Sequence, residues 1–148
     1  MSQSDPDTLN PNMCISYRLR RAARASARHY DAALKTVGLR NTQFTLLCFL
    51  SKESGTNIGA LARDMGVDAT TLNRNLEVLV RRGLVENHPA EDGRERLVAL
   101  TPEGQQKYEK AVNVWREAQQ LLLASIEPKD WNKMVQALSM IEETATQN

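Results

Sequence analysis

The densest group of side chains suited to recognition chemistry lies in Asp68-Ala69-Thr70-Thr71-Leu72-Asn73-Arg74-Asn75. Small and polar residues opening a helix suit one task well: a major groove about 12 Å wide admits a single helix, whose amino-terminal side chains then reach base edges. Arg74 can grip guanine O6 and N7 with its guanidinium fork, and Asn73 or Asn75 can read adenine. The hydroxyls and methyls of Thr70 and Thr71 suit phosphates or thymine methyls. A second cationic group, Asp92-Gly93-Arg94 with Arg96 beyond it, surrounds an Asp-Gly pair that signals a hairpin. A guanidinium on such a tip is drawn to the negative potential of a narrow minor groove, with Asp92 placed to anchor Arg94 or the turn. A merely polar, solvated helix surface is the plainer reading of the first group and stays open here.

Other chemistry is poorly supplied. Neither His29 nor His88 has a nucleophile or paired acid at motif spacing, no Gly-rich phosphate loop occurs and the acids are scattered, so an enzyme is not expected. Cys14 and Cys48 form no paired C-x-x-C cluster, which leaves no expected metal site, disulfide framework or cofactor. Cys14 stands at the start of a helix beside an arginine run, where amide dipoles favour a thiolate, and is a candidate redox residue. Cys48 sits in an apolar stretch and reads as a buried, inert small hydrophobe.

These residues need elements to hold them. Ile15, Leu19, Ala22, Ala23, Ala27, Tyr30, Ala33, Leu34 and Val37 recur at three- and four-residue steps and predict a long first helix that Gly38 stops. Asn41 or Thr42 is expected to cap a second helix, apolar nearly all round and therefore central, ending near Gly55. Asn57 caps a short third helix closed by Gly66, and Asp68 caps a fourth with Leu72, Leu76, Leu79 and Val80 as its buried stripe and Gly83 as its terminator. Leu84–His88 and Arg96–Leu100 read as the two strands of a wing. Thr101 and Pro102 open a fifth helix running through Ile126, and Glu127-Pro128 separates it from a sixth. The expected fold is mainly α: a winged helix-turn-helix lobe over about residues 41–104, with flanking helices over about 13–37 and 102–145, behind a flexible tail at 1–12.

Composition sets the outer limits. With 148 residues, 41% hydrophobic and 25% charged, the chain suits one domain. No uncharged apolar run reaches the roughly 18–20 residues that span a bilayer, and the polar start has no signal-peptide centre, so a cytoplasmic protein is expected. The net charge of +1 and a pI near 7.8 do not announce nucleic-acid binding by themselves. Residues 57–104 hold more acids than bases, which keeps a protein-interaction module in play as a rival; Ile15–Val37 instead gathers Arg18, Arg20, Arg21, Arg24, Arg28 and Lys35 against Asp31 alone.

Taken together, Gly38-Leu39-Arg40-Asn41-Thr42-Gln43-Phe44, Leu61-Ala62, Thr71-Leu72-Asn73-Arg74 and Arg82-Gly83-Leu84-Val85 resemble the MarR family of bacterial regulators. Asp92-Gly93-Arg94 followed by Val98-Ala99-Leu100-Thr101-Pro102-Glu103-Gly104 is similar to the family's D-x-R and V-x-L-T-x-x-G signature, and the resemblance spans about residues 13 to 145. It implies a homodimer built from the first, fifth and sixth helices, with two winged lobes reading pseudo-palindromic double-stranded DNA, most often as a repressor. The apolar surplus at Trp115, Leu121 to Leu123, Trp131 and Met134 agrees with a dimer, although folding back on the same chain would also cover it. Members of the family often release DNA on binding small aromatic or phenolic ligands between the lobe and the dimer helices. Candidates for such a site here are Arg21, Arg28, His29, Tyr30, Phe44 and Trp115, with a plain core role for the aromatics as the alternative. Peroxide-sensing members place a cysteine early in the first helix; counted back from Tyr30, Cys14 falls about two residues, or half a turn, before theirs.

Overall fold

The computed structural model describes residues 10–52, 55–90 and 96–147. Of the expected tail, residues 1–9 lie outside that description, and Pro11–Met13 form a 3₁₀ turn on which the Asn10 side chain accepts from Asn12 N at 3.0 Å. Helix α1 then runs Ile15–Leu34. Alanine and arginine, both strong helix formers, fill over half of it.

A single turn of 3₁₀ helix, Lys35–Val37, leads to Gly38, whose φ of 71° reverses the chain. That left-handed step costs glycine little, and it lets Leu39 N donate back to Leu34 O at 3.1 Å and bury its side chain. Cations answer the carbonyls exposed at this helix end. Lys107 Nζ donates to Val37 O at 3.3 Å, and Arg82 Nη2 donates to Gly38 O at 2.8 Å.

Helix α2, Asn41–Leu50, starts differently from expectation. Its cap is Arg40 rather than Asn41 or Thr42: Gln43 reaches back to accept from Arg40 N at 3.0 Å, and Asp31 on α1 accepts from Asn41 N at 2.6 Å. A carboxylate brought in from a neighbouring helix does the work of a local cap, and it ties the two helices together. Phe44, Leu46, Leu47 and Leu50 are buried, as suits a central helix.

Helices α3, Ile58–Met65, and α4, Ala69–Arg81, make the helix-turn-helix. Asn57 Oδ1 accepts from Ala60 N at 2.6 Å to start α3, and Gly66 at φ 64° ends it. The sheet has three described strands rather than two: β1 Thr56–Asn57, β2 Val85–Pro89 and β3 Arg96–Leu100, in the order β1-β3-β2, all antiparallel. β2 and β3 pair from Val85↔Leu100 to Pro89↔Arg96, while β1 adds only Thr56↔Val98 and Asn57↔Leu97.

Helix α5, Pro102–Leu123, is launched by Thr101, whose hydroxyl accepts from Gly104 N at 3.0 Å and donates to Gly83 O at 2.6 Å. It stops at Leu123, so Ile126 falls in the turn before α6, Pro128–Thr146. The core is leucine-dominated: Leu34, Leu46, Leu47, Leu50, Leu72, Leu79 and Leu84 are each at most 2% exposed, with Val85 and Val98 from the sheet and Ala111 from α5 closing it. It joins α1, α2, α3 through Leu61 and Ala62, α4, the base of the wing and α5. No buried residue lies on α6.

Candidate nucleic-acid interface

Asp68 fixes the head of α4. Its carboxylate accepts from Thr71 N at 2.9 Å and from the Thr71 hydroxyl at 2.7 Å, and these bonds hold its pKa below the ordinary carboxylate range despite full exposure. Leu72, Leu76 and Leu79 bury the opposite face. At 100° per residue Thr70, Asn73 and Arg74 share one sector, and all three are exposed. Arg74 makes no hydrogen bond or ion pair among the described residues, so its fork is available to an outside partner.

Two other expected readers are partly engaged. The Thr71 hydroxyl donates to Asp68, and half-buried Asn75 donates from Nδ2 to Thr71 O at 3.3 Å. Local bonding of this kind is the usual habit of short polar side chains near a helix start.

Asp92 and Arg94, expected at the wing tip, lie outside the described residues. Arg96 opens β3, as the strand reading of Arg96–Leu100 expects, and pairs across from Pro89. It faces α4 over a groove of about 310 Å³ that Asn73, Glu77 and Arg81 line from the helix and Asn87 from β2. Helix α4 and the wing strands therefore present polar groups to one concavity.

The six candidate ligand residues separate into two groups. Tyr30 and Trp115 stack at 6.3 Å between ring centroids, Trp115 and Phe44 at 5.8 Å, and Phe44 and Tyr108 at 5.9 Å, so α1, α5 and α2 are joined by one aromatic ladder. His29 packs edge-on against Tyr30 and bonds through Nε2 to Ala118 O at 2.8 Å; the Tyr30 hydroxyl donates to Gln119. Burial pushes the Tyr30 phenol above its usual pKa. Arg21 and Arg28 are exposed and sit about 180° and 160° around α1 from Tyr30, away from the rings. Phe44, at 5% exposure, belongs to the core as much as to any wall.

Cys14 is exposed as the N-cap residue of α1 and makes no side-chain cap bond. Cys48 is half-buried rather than fully enclosed, with the Tyr108 hydroxyl 3.8 Å from its sulfur. Among the described residues no His, Cys, Asp and Glu cluster could hold a metal ion, and no described helix is long and apolar enough to cross a membrane.

Away from the lobe, apolar side chains lie open. Ile15 is 59% exposed, Leu121 71% and Met140 66%, and Trp131, Met134, Val135 and Leu138 are exposed along α6. Ile15 meets Ala137, Met140 and Ile141 across an apolar groove of about 460 Å³ between the start of α1 and the end of α6. Folding back on the same chain, the alternative cover for these helices, leaves this surface uncovered.

Comparison with known proteins agrees with this architecture. The sequence pattern of the MarR family matches residues 37–95. The chain is similar to the M. tuberculosis transcriptional regulator MosR, solved in complex with DNA, at 38% identity over 90% of this chain and 97% of that one, with a TM-score of 0.83. It is 28% identical over 119 residues to the HTH-type transcriptional regulator YwoH of Bacillus subtilis (strain 168), covering 80% of this chain and 87% of that protein. It shares its fold with CouR from Rhodococcus jostii RHA1 bound to p-coumaroyl-CoA, at 24% identity over 90% of this chain and 95% of that one, with a TM-score of 0.77. A winged helix-turn-helix flanked by α1, α5 and α6, matched along almost its whole length by a regulator at that identity, places this protein in the MarR family of transcriptional regulators.

Proposed function

We propose that this regulator acts in the cytoplasm as a homodimeric repressor that sets two copies of α4 into successive major grooves of a pseudo-palindromic duplex. The wing loop carrying Asp92 and Arg94 rests against the adjacent minor groove, and Arg96 lies at the junction with α4. The observation that carries the reading is the exposed sector of α4, where Thr70, Asn73 and an Arg74 without a partner among the described residues stand together ahead of a wing. The complex of MosR with DNA supports it. The open apolar faces of α1, α5 and α6 support a second copy of the chain as their cover. Catalysis forms no part of this reading.

The signal that releases DNA is, in this proposal, a small aromatic ligand entering where Tyr30, Trp115 and Phe44 stack between the lobe and the flanking helices. CouR, bound to p-coumaroyl-CoA, supports the aromatic character of that ligand, though there the aromatic group is carried on coenzyme A. A second reading, thiol oxidation, is favoured by the exposure of Cys14 at the head of α1. Both are tested on one preparation. The protein is used to select duplexes from a randomised pool, and the selected complex is followed by fluorescence anisotropy from about 50 to 200 mM salt, a range over which phosphate-contacting proteins lose orders of magnitude in affinity. Binding without sequence preference or salt dependence defeats the DNA reading and favours a protein-interaction module. Release by phenolic acids supports the ligand switch; release by organic peroxide in the parent but not in Cys14→Ser replaces it with the thiol switch.

A further inference from the structure

We propose that Glu77 is a base-discriminating residue, accepting a hydrogen bond from the amino group of a cytosine in the major groove; this rests on the DNA-binding reading above. Glu77 is exposed one turn beyond Asn73 and Arg74, in the same sector of α4 as both, and it lines the groove shared with Arg96. Its position is unfavourable for simple affinity. An ionised carboxylate only accepts hydrogen bonds, and it repels the phosphates that the neighbouring cations attract.

The described residues do not account for it. Arg81 follows at the i+4 spacing that favours a Glu-to-Arg pair, and Arg96 faces it from β3, yet Glu77 makes no ion pair or hydrogen bond among the described residues. Among the described residues the carboxylate is thus an unengaged acceptor on the exposed face of α4. In the major groove guanine presents only acceptors and thymine an acceptor and a methyl; adenine sets its N6 amino group beside the N7 acceptor, a pair that an amide matches and an acceptor-only carboxylate does not, whereas cytosine offers its N4 amino group, the usual partner of Glu and Asp. Asn73, Glu77 and Arg81 rise along α4 in steps of about 6 Å, so Glu77 reaches a base pair beyond the position read by Asn73.

The test compares the parent with Glu77→Gln and Glu77→Ala, each checked for parental thermal unfolding, by selection from randomised duplexes and by competition against random DNA. The parent is expected to select one C·G pair per half-site. Both variants should lose about tenfold of that preference and bind random duplexes several-fold more tightly, and Glu77→Gln should shift toward adenine, which amides read. Two outcomes overturn the proposal: a uniform gain in affinity with the preference intact, which makes Glu77 only a repulsive charge, or a preference altered at a base pair other than C·G. If the parent itself selects no sequence, the DNA-binding reading fails first and takes this inference with it.

Discussion

Gly104 controls how α5 leaves the wing. A Cβ added there would lie 1.9 Å from Leu84 O and 2.9 Å from Leu84 C, both backbone atoms that no side-chain rotation can move. Relief requires α5 and the start of β2 to part by more than 1 Å, roughly the shortfall from an ordinary carbon–oxygen contact. That movement also strains the bond from Thr101 N to Leu84 O, now 3.1 Å. Overpacking of this kind costs about 1–3 kcal/mol and a weakened buried hydrogen bond about 1 more, against a helix-propensity gain of at most about 1 for replacing glycine by alanine. Gly104→Ala should therefore destabilise by about 1–3 kcal/mol, or roughly 3–10 °C in Tm for a chain of this size. Gly59→Ala is the matched control, because its Cβ meets only Asn57 Oδ1 at 3.5 Å, an ordinary contact. Both are measured by calorimetry at equal protein concentration, since an associating protein has a concentration-dependent Tm. A Gly104→Ala Tm within about 2 °C of the parent, or a larger loss in Gly59→Ala, would refute the reasoning about this helix junction.

Further outcomes are equally checkable. Arg74→Ala should cost about 1–3 kcal/mol on the selected duplex with little change on random DNA, while Arg94→Ala should weaken both, as competition binding would report. Ile15→Glu combined with Met140→Glu places charge in the groove between α1 and α6 and should turn a dimer into a monomer by light scattering at micromolar concentration. The lowered pKa of Asp68 means that its cap contributes fully above the ordinary aspartate range near 3.9 and is lost as pH falls through the depressed folded value. Acid unfolding of Asp68→Asn should accordingly show a weaker pH dependence at the acid end than the parent.

What was legible in the sequence is what local chemistry decides. Gly38, Gly66 and Gly83 terminate helices, and Asn57, Asp68 and Thr101 cap them, because each acts on atoms within a few residues. What escaped depends on distant partners. The start of α2 is set by Asp31 ten residues earlier, the Arg82 fork closes on Gly38 and Gln43 across the lobe, and β1 exists only because β3 lies beside it. On the proposed reading face, Thr70, Asn73 and Arg74 are exposed as the apolar stripe implied, whereas the use of the Thr71 hydroxyl by Asp68 needed the cap geometry. Helical phase alone would have separated Arg21 and Arg28 from Tyr30, since spacings of nine and two residues lead to nearly opposite faces of a helix. The stack of Tyr30, Trp115 and Phe44 carried no such signal, because three helices meet there.

The central claim, that two copies of α4 read one duplex, is tested most directly by hydroxyl-radical footprinting of the parent and Arg74→Ala on the selected DNA. The parent should protect two symmetry-related patches centred about one helical turn, 10–10.5 base pairs, apart, and Arg74→Ala should lose both together at the same concentration. A single protected patch, no protection at concentrations that saturate binding, or a footprint unchanged by Arg74→Ala would contradict it.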